Sequence, residues 1–140
     1  MKYDLIFYIA KKTGYCEKRL RPIMREIDAD PNRIVSATAP TALGEEVKHS
    51  LRLTPLVVII GGLGSLEDDN LAVVLSRAFS NSSLSLEHMR KITSPTGERG
   101  YIIRYRSQII LALPDIPDEI EHMLTPDLLR YIAEKTAASA

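Results

Sequence analysis

The hydrophobic positions of the chain change spacing repeatedly, and the changes predict strands and helices in alternation. Residues 5–9 form a short, apolar, β-rich segment that is typical of a buried strand. Residues 33–37 predict a second, weaker strand, and Pro40 suits the first turn of the helix after it. Between the two strands lies an apolar stripe with helical spacing, formed by Cys16, Leu20, Ile23, Met24 and Ile27.

Residues 56–60 are five consecutive branched apolar residues. Because polar residues do not alternate with them, we expect a central parallel strand that is buried on both faces. The sequence Gly61-Gly62-Leu63-Gly64 follows, and then a helical stripe, formed by Leu71, Val74, Leu75 and Ala78. Repeated strand–helix–strand order predicts a mainly parallel sheet with helices on both faces.

The second half of the chain has a different pattern. Two apolar segments, 101–105 and 108–112, are separated only by Arg106-Ser107, which predicts a tight antiparallel hairpin. Helical segments follow to the end, with a cap and a new start at 125–127. The expected fold is a three-layer α/β/α domain over residues 1–140, with a mostly parallel sheet and an added antiparallel hairpin.

Composition narrows the classes of function. The chain has 140 residues, 45% of them hydrophobic, and its 18 Lys and Arg balance its 18 Asp and Glu, so nothing favours nucleic acid or a membrane as a partner. The single cysteine, Cys16, excludes an internal disulfide and suits a reducing compartment. We find no apolar segment of membrane-spanning length and no signal peptide, so we expect a cytoplasmic protein.

The glycine-rich turn is the main candidate site. Glycines after a strand allow positive φ and the close approach of a ligand, and the helix that follows offers unpaired N–H groups to a phosphate. Gly61, Gly62, Leu63 and Gly64 would supply backbone contacts and Ser65 a hydroxyl. A purely structural turn is the alternative.

Two acids stand close behind this turn. Asp68 and Asp69 would repel a phosphate unless a cation such as Mg²⁺ lay between them, so the pair predicts a metal-bridged phosphate. The alternative is that both acids only stabilise the start of the helix through its dipole.

Two motifs carry a family resemblance. Residues 61–69 resemble the GGLGPTxDDxT signature of the N-terminal domain of competence/damage-inducible protein A, in the molybdopterin-binding superfamily of molybdenum cofactor biosynthesis. Residues 113–120 resemble that family's LPGVPxEM motif, and the hairpin precedes it as expected. The resemblance covers residues 3 to about 132. It implies a molybdopterin or nucleotide ligand, Asp69 as the catalytic candidate, and a facing wall made of Pro114, Asp115 and Pro117. Glu119, which matches the family's Glu, is a further candidate for ligand binding.

The chain also departs from that pattern. Residues 10–14 replace a GDELL-type segment, residues 38–40 lack an expected acid, and Asp115 stands where the family has glycine. We therefore expect ligand binding with weak or no catalysis. The alternatives are a non-catalytic assembly or regulatory module, and a metal-dependent pyrophosphatase acting on ADP-ribose-like substrates. For Glu119, which lies among other acids, we expect a solvated helix face.

Charge is distributed unevenly along the chain. Residues 88–106 are mainly basic, and residues 115–140 are mainly acidic. Solvated faces explain most such runs. A basic rim that attracts a nucleotide is a second interpretation. Complementary charge also predicts a homo-oligomer, and the resemblance implies one, because the resembled family tends to form homo-oligomers.

Overall fold

A computed structural model describes residues 1–63, 71, 74, 75, 77 and 89–137. Six strands and four helices have both ends among these residues. The strands are β1 (Lys2–Tyr8), β2 (Asp30–Ala37), β3 (Leu56–Ile60), β4 (Met89–Thr93), β5 (Arg99–Tyr105) and β6 (Gln108–Leu113). The helices are α1 (Thr13–Arg25), α2 (Pro40–Leu51), α3 (Pro117–Met123) and α4 (Pro126–Ala137). Within the described ranges, no helix combines the length and the apolar character needed to cross a bilayer.

The strands form one six-stranded sheet in the order β2-β1-β3-β6-β5-β4. The pairs β1–β2, β1–β3 and β3–β6 are parallel, whereas β5 runs antiparallel to both β6 and β4. Tyr105 pairs with Gln108 across the two-residue turn, and Arg106 takes a positive φ of 56° there. The predicted mostly parallel sheet and its antiparallel hairpin are confirmed.

Helices cover both faces of the sheet. The side chains of β3 alternate between two buried clusters, with Leu56, Val58 and Ile60 on one face and Val57 and Ile59 on the other. The first cluster includes residues of α1, α3 and α4, and the second includes residues of α2. Leu71, Val74 and Leu75 are helical and buried in the second cluster, as predicted, whereas Ala78 lies outside the described residues. The three-layer α/β/α arrangement is confirmed.

Strand β4 was not predicted from the sequence. Only Met89 and Ile92 of its five residues are half-buried, and the other three, Arg90, Lys91 and Thr93, are exposed. A strand at the sheet edge with so few apolar residues carries little hydrophobic pattern. Its pairing with β5, from Met89 with Ile103 to Thr93 with Arg99, defines it instead.

The first strand ends one residue earlier than predicted. Ile9 leaves the strand with a φ of 47°, an unusual conformation for a β-branched residue, and its side chain is 44% exposed. Its backbone N–H donates to the Ala37 carbonyl oxygen at 3.2 Å, which joins the carboxyl ends of β1 and β2.

A buried ion pair joins β1, β2 and α2. Asp4 is completely buried, and its carboxylate accepts hydrogen bonds from Asn32 Nδ2 at 2.9 Å and from Arg33 Nε at 3.3 Å. The same guanidinium donates to Ser50 Oγ at 2.9 Å and lies 2.8 Å from Glu46 Oε2. A buried carboxylate is tolerated only when it is paired and hydrogen-bonded, and Arg33 meets that condition here.

The central strand gives a stability prediction. Val58 is fully buried between two parallel neighbours, so Val58→Ala should lower the free energy of unfolding by about 1–3 kcal/mol through lost burial and packing. Denaturant unfolding measures the change. Leu53→Ala, at a side chain that is 53% exposed, is the control and should change stability by less than about 0.5 kcal/mol. Equal effects of the two substitutions would contradict the assignment of β3 as the core strand.

Candidate functional site

The candidate site lies where the path of the chain reverses at the sheet. From β1 the chain passes through α1 on one face to β2, and from β2 it passes through α2 on the other face to β3. Strands β1 and β3 are neighbours in the sheet and parallel to each other and to β6. Their carboxyl ends therefore meet at one edge, and open α/β sheets bind ligands outside such an edge.

The glycine turn after β3 is packed directly against the end of β1. Gly61 and Gly62 have φ values of 108° and 74°, so the predicted positive φ is confirmed. A Cβ on Gly61 would lie 2.2 Å from the Tyr8 carbonyl oxygen, and one on Gly62 would lie 2.4 Å from Tyr8 Cδ2. The Gly61 N–H donates to the Leu113 carbonyl oxygen at 3.0 Å. The two glycines therefore allow the turn after β3 to pack closely against the ends of β1 and β6. Tyr8 fills the space beside them.

A pocket of about 310 Å³ opens beyond this turn. It brings together Leu63, Pro114 and Asp115, three of the residues predicted from the sequence to contact a ligand. Gly97, Glu98, Arg99 and Ile116 are the other described residues that line it. Gly61 and Gly62 do not line it, and Pro117 lines a neighbouring pocket of about 350 Å³ with Lys12, Tyr15 and Arg19.

The structure does not describe the residues that were predicted to supply a hydroxyl group and metal ligands to the site. Gly64, Ser65, Asp68 and Asp69 lie outside the described residues. Within the part of the chain that the structure describes, no group of three or more His, Cys, Asp or Glu side chains could hold a metal ion. A Mg²⁺ site at Asp68 and Asp69 stays a prediction.

Arg99 is a cationic lining residue that the sequence motifs did not identify. It begins β5 and is exposed at the pocket, next to Glu98 on the turn between β4 and β5. The only sequence signal for it was the excess of basic residues over 88–106. A guanidinium at a pocket wall suits the oxygens of a phosphate or carboxylate, which it binds through two parallel N–H groups.

Asp115 is tied to the loop between β1 and α1. Its Oδ2 accepts a hydrogen bond from the backbone N–H of Lys11 at 2.7 Å. Its charge also adds to the effect of burial, the larger cause, in raising the pKa of the Cys16 thiol to about 11. Cys16 is therefore a protonated, buried side chain at neutral pH, as expected for a small hydrophobe.

The expectation of a solvated face is wrong for Glu119. Its side chain is only 7% exposed, and Oε1 accepts a hydrogen bond from Thr96 Oγ1 at 2.5 Å. Hydrogen bonds from the hydroxyls of Ser94 and then Thr96 hold its pKa below the ordinary value. Glu119 thus fastens α3 to the turn that carries Gly97, Glu98 and Arg99, and it does not itself line the pocket. Sequence reasoning could not find this because Ser94 and Thr96 are distant in the chain.

Comparisons with known proteins match the fold. CinA of Thermoplasma acidophilum, described as a protein of unknown function, superposes with a TM-score of 0.75 at 17% identity, covering 94% of this chain and 99% of that one. Molybdenum cofactor biosynthesis protein B gives a TM-score of 0.74 at 8% identity over 99% of this chain and 94% of that one. MoaB of Thermus thermophilus, a molybdopterin biosynthesis enzyme, gives a TM-score of 0.68 at 15% identity over 97% of this chain and 96% of that one.

A sequence relative agrees with these structures. A CinA-like protein of Desulfotalea psychrophila is 28% identical over 123 residues, covering 67% of this chain. The chain is thus similar in sequence to a CinA-like protein and shares its fold with CinA and with proteins of molybdenum cofactor and molybdopterin biosynthesis. The resemblance seen in the two sequence motifs is thereby confirmed. The match spans 30% of the relative's length, and no protein-family model matches this chain.

The glycine turn yields a second stability prediction. Gly61→Ala should lower the free energy of unfolding by at least about 2 kcal/mol, because the new Cβ meets backbone atoms at a positive φ. Gly14→Ala is the matched control: its Cβ meets nothing within 4 Å, and its position inside α1 favours alanine by up to about 1 kcal/mol. Thermal unfolding of both variants measures the difference. A neutral Gly61→Ala would show that the turn is not held against β1.

Proposed function

We propose that this chain binds a small phosphate-bearing ligand, of nucleotide or molybdopterin type, in the pocket beside the glycine turn, with weak or no catalysis. The observation that supports this most directly is the presence of Arg99 in a pocket at the carboxyl edge of parallel strands. The pocket volume of about 310 Å³ lies at the lower end of the range typical of small-molecule sites.

The proposed class of ligand is supported by the position of the pocket and by the names of two structural neighbours. The pocket walls combine Leu63, which follows β3, with Pro114 and Asp115, which follow β6, and these are two of the segments whose motifs carry the family resemblance. Two structural neighbours are named for molybdenum cofactor or molybdopterin biosynthesis. Since a fold alone does not fix function, the ligand class depends on the pocket chemistry, above all on Arg99.

Weak catalysis is proposed because acids are missing where a cation would need them. Hydrolysis or transfer at a pyrophosphate is favoured when a cation neutralises the developing charge from more than one side. Asp68 and Asp69 are one source of ligands. The segment after β2, Thr38-Ala39-Pro40, has no carboxylate, and one oxygen of Asp115 is already engaged by the Lys11 N–H.

The test of binding is titration calorimetry with ATP and ADP-ribose, with and without Mg²⁺. Arg99→Gln should raise the dissociation constant about ten- to hundredfold, because the ligand loses a charge-assisted hydrogen bond. Arg52→Gln, at an exposed residue after α2 that does not line the pocket, removes the same charge and should leave binding unchanged. Equal weakening by both variants would mean that binding follows overall charge rather than this pocket.

A second candidate function, a non-catalytic assembly or regulatory module, is favoured by the bond between Asp115 and Lys11. That carboxylate already occupies a backbone N–H at the strand edge, where a bound anion would otherwise accept. Such a module should show no thermal shift with any nucleotide, whereas a specific site gains about 2.7 kcal/mol at a hundredfold excess of ligand over its dissociation constant. Sedimentation then measures the homo-oligomer that we propose as its working state.

Catalysis is tested separately. The substrates are ATP and ADP-ribose, each with Mg²⁺, Mn²⁺ or Co²⁺. We expect no turnover, or turnover at least about a thousandfold below ordinary enzyme rates, because several kcal/mol of transition-state stabilisation would be missing. Product formation by the pure chain is the measurement, with Asp69→Ala as the matched variant. Turnover at ordinary rates that Asp69→Ala abolishes would instead support the metal-dependent pyrophosphatase.

A further inference from the structure

We infer that Asp115 determines which ligands the pocket accepts, by selecting a ring edge that carries adjacent N–H and NH₂ donors, as guanine and pterin rings do. This rests on the proposed function, because it assigns the ring-binding side of the same pocket. Three observations support it: the fixed position of the Asp115 carboxylate, the charges around the pocket, and the positions of the acid and the arginine on different loops.

The carboxylate of Asp115 is held in one orientation. Oδ2 accepts the Lys11 N–H at 2.7 Å, and the side chain is half-buried at the pocket wall. The structure gives Oδ1 no hydrogen-bond donor among the described residues. A carboxylate anchored through one oxygen presents the other as a preoriented acceptor, which lowers the cost of ordering it when a donor arrives.

The charges around the pocket disfavour an anionic group next to Asp115. Among the described residues, three charged side chains line the pocket: Arg99, Glu98 and Asp115. Arg99 and Glu98 are exposed on the turn between β4 and β5, so Asp115 is the more buried of the two acids. A phosphate placed against Asp115 would meet an uncompensated negative charge, whereas the same phosphate at Arg99 would be paired.

The acid and the arginine enter the pocket from different loops. Asp115 follows β6, and Arg99 begins β5 after the β4–β5 turn that Glu119 holds through Thr96. A ligand that satisfies both must carry an anionic group at one end and N–H donors at the other. Oδ1 and the second lone pair of Oδ2 can accept two parallel N–H bonds from adjacent donors. A guanine-type edge offers such donors, and an adenine edge, with one amino group beside a ring acceptor, does not.

The test measures dissociation constants of the purified full chain for GMP, IMP, AMP and inorganic phosphate by titration calorimetry. IMP lacks the 2-amino group, so GMP should bind at least about tenfold more tightly than IMP and AMP, the effect of one charge-assisted hydrogen bond. Neopterin monophosphate presents the same donor edge on a pterin, and its constant relative to GMP shows which ring the pocket takes. Phosphate alone should bind more weakly than any of these probes, with no dependence on residue 115.

The decisive variant is Asp115→Asn. Its amide oxygen still accepts the Lys11 N–H, while its NH₂ group becomes a donor toward the pocket. We expect the preference for GMP over IMP to be lost and the affinity for XMP, which carries a carbonyl in place of the 2-amino group, to rise at least about tenfold. A purely structural role of Asp115 would not reverse the preference. Asp118→Asn, at an exposed acid paired with Arg19 outside this pocket, is the control and should keep the wild-type order.

Each outcome separates the inference from the proposed function. If GMP, IMP and AMP bind the unaltered chain equally, Asp115 selects nothing and only the inference fails. If Glu98→Gln removes the preference and Asp115→Asn keeps it, the selecting acid is misassigned. If no phosphate-bearing probe binds, the proposed function fails as well. Because the comparison of probes uses the unaltered chain, it decides the question even if the Asp115 variant does not fold.

Discussion

The architecture of the site depends on one close contact, between the glycine turn after β3 and the end of β1. Carbonyl and side-chain atoms of Tyr8 lie where any Cβ on Gly61 or Gly62 would have to be. Only glycine permits this approach together with the positive φ of both residues. Because the turn is pressed against β1 and bonded to Leu113 of β6, the three parallel strands end at one common edge, and Leu63 reaches the pocket wall.

Two side-chain carboxylates then fix the loops around that edge. Asp115 binds the backbone of the loop between β1 and α1, and Glu119 binds Thr96 of the turn between β4 and β5. Both acids lie within a few residues of each other, so one short segment after β6 is bonded to both loops. Hydrogen bonds to ionised groups are stronger than neutral ones, which makes such bonds effective in ordering loops that have few apolar contacts.

The comparisons show that very different sequences adopt this fold. Chains that share from 8 to 17% of their residues with this one keep the same arrangement of strands over nearly its whole length. That similarity follows from the hydrophobic pattern of the strands and helices, which many sequences satisfy. A fold by itself does not fix which ligand a site takes, and among the described residues the charged ones that line the pocket of this chain are Arg99, Glu98 and Asp115.

The sequence by itself determined the central strand, the alternation of strands and helices, and the hairpin, because each depends on the local spacing of apolar residues. It also singled out Leu63, Pro114 and Asp115, which the structure brings together at one pocket. Only the tertiary structure decided the edge strand β4, the burial of Glu119 and the place of Arg99 in the pocket. The physical reason is the same in each case: these features arise from pairing and hydrogen bonds between residues distant in the chain, such as Thr96 with Glu119, and local periodicity carries no record of them.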